Sequence, residues 1–143
     1  MVLRRDGEIQ QGDTVDIVTP VLEGNDPDAK FFEPLSAVTP EFTMAEGSFD
    51  DDSLGSTVLT TADVDIIIEP FADTDMGVDE FDGVTSIPDS QDVIVVQIPF
   101  AQTTSLMART TYAYHIRFET TVDNETTRLS PVKGDLSVNP SAY

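Results

Sequence analysis

The 143-residue chain has no cysteine and no tryptophan, and only seven of its residues are lysine or arginine. The missing cysteine excludes disulfide staples, thiolate metal sites and cysteine nucleophiles together. The missing tryptophan, with only three tyrosines, leaves little for a sugar-stacking platform. No apolar run approaches the ~18 residues a membrane span requires. The opening MVLRRDGEIQQGD has two arginines but no hydrophobic stretch behind them, which argues against a secretory signal. Glycines are scattered, with neither the G-x-G-x-x-G nor the P-loop spacing that cradles phosphates. With so few cations there is no basic stretch to neutralise a nucleic-acid backbone. Neither nucleic acid nor membrane is therefore expected as a partner.

Carboxylates are abundant instead. Asp and Glu number 27, for a net charge of −20, and Asp outnumbers Glu 18 to 9. Such a charge repels itself within one small fold. At molar salt the Debye length shrinks to about 3 Å and the repulsion largely disappears. Many short carboxylates with few lysines suit a protein of a saline host.

Length and apolar content fit a single domain over residues 1–143 with one core. Period-two alternation dominates, and no amphipathic helix of three turns is evident. DTVDIVTPVLE sets Val15, Ile17, Thr19 and Val21 on one face, with Pro20 marking an edge or bulge. TVLTTADVDIIIEP sets Val64, Ile66 and Ile68 against Asp65 and Glu69. DVIVVQIPF is apolar on both faces, as in a strand covered on both sides. TTYAYHIRFETT alternates Tyr112, Tyr114, Ile116 and Phe118 with Ala113, His115, Arg117 and Glu119. TTRLS and GDLSVNP follow, with Asp123-Asn124 as a hairpin turn and Pro131 and Gly134 in a second tight connection. The pattern predicts an all-β, antiparallel β-sandwich.

Two long connections interrupt it. Residues 24–55 are expected to form an inserted arm or long loop, too aromatic for a disordered linker. Its Phe31, Phe32, Leu35, Phe42, Met44 and Phe49, together with Tyr143 at the C-terminus, are the candidate partner-interface residues. Residues 70–92 are expected to be a solvated acidic loop.

Candidate chemistry is sparse. His115, the only histidine, falls on the polar face of its strand, and no nucleophile-elbow motif or comparable signature accompanies it. Asp73, Asp75, Asp79 and Asp82 are the candidate metal ligands, since hard cations want several oxygens. Their segment departs from the EF-hand pattern: Gly77 stands where a ligand belongs and the closing Glu is missing. Asp50–Asp52 form a second acidic run. Structural cations are thus the only cofactor class suggested, and no catalytic residue is assigned.

The order of segments resembles a family of small Ig-like β-sandwich domains in tailed bacteriophages and related archaeal viruses, one member being the N-terminal domain of the phage baseplate upper protein. Gly12-Asp13-Thr14 leads into the first strand as that family's GDT does. Leu59 to Glu69 is similar to its DLTGA-headed strand, with the glycine replaced. Tyr112, Tyr114 and Ile116 match Y-x-Y-x-[IV], and Gly134, Leu136 and Val138 match the closing G-x-[IVL]-x-V. The 24–55 segment is far longer than the family's connection. The resemblance implies a non-enzymatic virion structural protein. It would assemble with other copies of itself and other virion proteins as a capsid decoration or turret, at the neck, or in the tail or baseplate. The alternative is an extracellular adhesion or surface-layer module of a halophile, which predicts an export signal or anchor.

Overall fold

A computed structural model describes residues 3–23, 31–49, 54–74, 87–122, 124–129 and 131–140. The alternating segments form ten strands: β1 (Leu3–Arg4), β2 (Gly7–Gln10), β3 (Val15–Thr19), β4 (Val38–Glu46), β5 (Thr57–Thr60), β6 (Asp65–Pro70), β7 (Asp92–Ile98), β8 (Thr111–Val122), β9 (Glu125–Arg128) and β10 (Val132–Asn139). Among the described residues one short α-helix, α1 (Phe100–Thr104), follows β7. The larger sheet runs β1-β10-β8-β4-β5, with β2 further along β10 and β9 on the end of β8, and the smaller sheet runs β3-β7-β6. Every pairing is antiparallel except those of β1 and β2, which lie parallel to β10. The fold is an all-β sandwich with an Ig-like strand order. The smaller sheet corresponds to the B-E-D face, and the larger to the G-F-C face carrying extra edge strands.

The core lies between the sheets because each strand turns its apolar alternation inward. Phe42 and Met44 on β4, Tyr114, Ile116 and Phe118 on β8, and Val132, Leu136 and Val138 on β10 are buried together with Ile17 on β3 and Ile94, Val96 and Ile98 on β7. The rings of Phe42 and Tyr114 stack with centroids 6.4 Å apart. As its composition predicts, β7 is central in its sheet and buried on both faces, Val93 and Val95 included. Pro20 ends β3, an edge strand, where its missing N–H costs no ladder bond. Val122 pairs with Glu125 across the predicted hairpin, and Asn124 takes the positive φ of 68° that such a two-residue turn favours.

The arm expected over 24–55 is corrected in its middle. Residues 38–46 form β4, the partner of β8 along nine registered residues from Val38↔Thr120 to Glu46↔Tyr112. Leu35, Phe42 and Met44, candidate partner-interface residues by sequence, are core residues with exposures of 2%, 0% and 0%. The reason is local: the segment alternates from Val38 to Met44, and Pro40 disguises it. Pro40 is tolerated because β5 pairs only from Thr43 onward, so β4 has an open edge at Pro40. Beyond that ladder Thr61 Oγ1 accepts from the Phe42 amide at 2.9 Å.

TVLTTADVDIIIEP is likewise not one strand. Thr60 and Asp63 form a capping box around a 3-10 turn at Thr61–Asp63, so β5 stays in the larger sheet while β6 joins the smaller. The chain changes sheets at this corner.

Gly134 sets how the N-terminus packs. A Cβ there would stand 1.7 Å from the Arg5 carbonyl oxygen and 2.8 Å from the Tyr114 ring. The bare backbone lets Arg5 N–H donate to Lys133 C=O at 2.9 Å and lets Tyr114 Oη donate to Arg5 C=O at 2.7 Å. Tyr112 Oη accepts from the Met107 amide five residues upstream at 3.0 Å. That is the tyrosine-corner arrangement at the start of the sixth Ig strand.

Candidate functional site

Strand alternation puts Ala113, His115, Arg117 and Glu119 of β8 on the face of the larger sheet away from the core, and cross-strand register adds their neighbours. Thr43 and Lys133 flank His115, Glu41 stands opposite Arg117, and Arg128 opposite Glu119. The chain leaving β4 turns back over this face. Asp135 accepts from the Phe49 amide at 3.0 Å and from the Ser48 hydroxyl, and Arg4 Nη2 lies 3.3 Å from the same carboxylate. Phe49 is thereby held beneath Lys133, whose Nζ sits 5.1 Å from the ring centroid, a cation–π contact.

A concavity of about 490 Å³ is walled by Phe49, Leu54, His115, Arg117 and Lys133 with small residues of β4, β5 and β8. A second, of about 260 Å³, shares His115 and Arg117 and adds Arg128, Leu129 and Pro131. Three of the chain's seven basic residues and its only histidine thus line two adjoining hollows. No carboxylate lines either hollow among the described residues.

His115 is half-buried, and its Nδ1 accepts from Arg117 Nε at 3.3 Å. Burial holds its pKa below the usual imidazole value, Arg117 and Lys133 push the same way, and Glu41 opposes them. The imidazole is therefore neutral near pH 7, with its proton on Nε2. Its partner is a cation, opposite in sign to the carboxylate that orients a catalytic histidine. The face can present hydrogen-bond donors and positive charge to an anion.

The remaining sequence candidates scatter. Phe31 bridges to Leu22, the Phe32 amide donates to Val21 C=O at 2.7 Å, and both rings pack against the chain's own core. Phe49 borders the larger surface hollow. Asp73 is exposed in a 3-10 turn, while Asp75, Asp79, Asp82 and Tyr143 lie outside the described residues. Among the described residues no three His, Cys, Asp or Glu side chains converge as metal ligands, and no helix is long and apolar enough to cross a membrane. Both ends of the acidic 70–92 connection are anchored in the core, through Phe71 and Ile87.

Sequence reasoning missed two features. The basic face was legible in part, since His115 and Arg117 share strand parity, but Arg128 and Lys133 join them only through register. The other is a set of exposed apolar side chains. Ile67 and Ile68 on β6 are 39% and 47% exposed, and Phe100 and Met107 around α1 are 62% and 66% exposed. No strand pairs with the outer edge of β6 among the described residues. No protein-family model matches the chain, and no curated protein matches it in sequence.

Proposed function

We propose that this chain is a non-enzymatic structural protein of a tailed-virus particle, held in place by contacts with other copies and other virion proteins. The observation that carries the assembly reading is the outer edge of β6, with which no strand pairs among the described residues, and its exposed Ile67 and Ile68. An isoleucine gains about 1.5–3 kcal/mol when fully buried, and specific interfaces bury about 1,600 Å² in total. In a chain of charge −20, Ile67 and Ile68 left in water on an edge strand fit a surface that a neighbour covers. Asp65, Glu69 and Pro70 sit at the strand's ends, where such residues discourage indiscriminate edge pairing. The tailed-virus assignment rests on the resemblance of the GDT, Y-x-Y-x-I and G-x-L-x-V segments. The structure's use of Tyr112, Tyr114 and Gly134 as packing residues is compatible with it.

The test is peptide mass spectrometry of purified particles from the source, with immunogold labelling of intact and disrupted particles. Regular label on the shell points to a decoration or turret, and label at the neck or tail tip to the connector or baseplate. Ile67→Asp is expected to abolish incorporation while leaving the fold intact. Absence of the chain from both intact and disrupted particles refutes the virion assignment and favours a host surface module.

A further inference from the structure

We propose that the outer face of the larger sheet, at His115, Arg117, Arg128 and Lys133, binds a carboxylate-rich peptide segment of a neighbouring protein chain. The first argument is charge placement. The chain carries 27 acidic and seven basic residues, yet every charged residue lining the two adjoining hollows is basic among the described residues. Chance placement on so acidic a surface would have mixed the signs.

The second argument is that these cations are not spent internally. Among the described residues neither Arg117 nor Lys133 has a carboxylate in salt-bridge range. Arg117 gives its Nε–H to His115, which leaves its terminal amino groups as the two-pronged donor that carboxylates accept. Lys133 is held over the Phe49 ring. Arg128 pairs with Glu119 at 3.5 Å, but both side chains are well exposed, and such pairs exchange readily for another carboxylate. Among the described residues the other acids on this face near the cluster are Glu41, across from Arg117, and Asp135, which is already held by Arg4, the Ser48 hydroxyl and the Phe49 amide. The depressed His115 pKa agrees with this, because Arg117 and Lys133 act on it together against the single opposing Glu41.

The third argument concerns the occupant. Apolar walls at Phe49, Leu54 and Leu129 alternate with the cations, which suits a polypeptide carrying both carboxylates and carbon chains better than a bare inorganic anion. A nucleic acid is disfavoured: four adjoining donors are few beside the 6–10 phosphate contacts that typically anchor one, and the rest of the molecule repels it. The inference rests on the assembly reading only for the source of the acidic chain. Peptide binding in solution and incorporation into particles are separate readouts, so either can fail alone.

The probe is a fluorescein-labelled peptide ADTDMGVDEFDG, the sequence of residues 72–83 of this chain. It is titrated with the full chain by fluorescence anisotropy at ~0.15 M salt, where the Debye length is about 8 Å and contact pairs outlast the global repulsion. Saturable binding is expected, about tenfold weaker for Lys133→Gln or Arg117→Gln and absent for the same peptide with Asn and Gln replacing its acids. Circular dichroism establishes that each variant is folded. No saturable binding, or binding unchanged in both variants, overturns the proposal. Asp50, Asp51 and Asp52 join Phe49 to Leu54 in sequence and are the intramolecular competitor. Binding that appears only after all three are changed to Asn overturns it too, because the face then serves the chain's own aspartates. Equal competition by inorganic phosphate at matched ionic strength overturns the peptide specificity.

Discussion

Gly134→Ala adds one methyl group where the structure has no room for it. The new Cβ would stand 1.7 Å from the Arg5 oxygen and 2.6 Å from the Arg5 carbonyl carbon, both backbone atoms that no rotamer change can move. Ordinary contact begins near 3.4 Å, so Arg5 must retreat by about 1.7 Å. That displacement breaks the 2.9 Å bond from Arg5 N–H to Lys133 C=O and the 2.7 Å bond from Tyr114 Oη to Arg5 C=O. Overpacking alone costs about 1–3 kcal/mol. The lost bonds add about 1 kcal/mol each, more for the phenol because its ring is buried and Oη loses its acceptor. The expected loss is therefore roughly 3–5 kcal/mol, a large share of the ~5–15 kcal/mol available to a domain. It should appear as a fall in melting temperature of about 10–15 °C, with a matching shift in the urea midpoint followed by circular dichroism. Tyr114→Phe, which removes only the hydroxyl, should cost about 1–1.5 kcal/mol. Because both changes act on the same Arg5 contact, the double variant should fall short of the sum. A loss under about 1 kcal/mol for Gly134→Ala, or strict additivity, would refute the packing argument.

Phe42→Ala should destabilise the isolated chain by about 3–5 kcal/mol because Phe42 is a fully buried core ring. Phe49→Ala removes chiefly a surface cation–π contact and should cost about 1 kcal/mol or less in the same urea titration. Similar losses for the two would contradict their placement. Burial raises the Tyr114 pKa above its ordinary value of 10.0, with Arg5 opposing and Asp6 adding to the shift. Above pH 10 the unfolded chain therefore releases this proton before the folded chain does, and stability falls as pH rises; Tyr114→Phe should flatten that limb. His115 has the opposite dependence: its pKa lies below 6.5, so the unfolded state binds its proton first and stability falls as pH drops below 6.5. The effect is small for a half-exposed ring, and His115→Gln should remove it.

The sandwich was readable where alternation ran uninterrupted. The β7 segment announced burial on both faces, β8 separated its tyrosines from its histidine, and the Asp123-Asn124 turn fixed the β8–β9 register. Reading failed where one residue type carried two meanings. Pro34 and Pro40 hid β4 inside the arm expected over residues 24–55, because proline's cost depends on which edge of a strand is open. Ile68 shares the apolar face with Val64 and Ile66 yet is 47% exposed, because period alone does not say whether another sheet lies opposite.

Composition and alternation by themselves determined an acidic all-β chain without disulfides, and the inward placement of Tyr112, Tyr114, Ile116, Leu136 and Val138. Those properties follow from backbone geometry and from local side-chain chemistry, which each segment carries with it. Tertiary structure decided that β4 lies between β8 and β5, that Gly134 must admit the Arg5 carbonyl, and that four scattered donors meet on one face. Each depends on register between strands that are distant in sequence, as far apart as Leu3 and Val132. Register is set by the whole core closing at once, and no single segment encodes it.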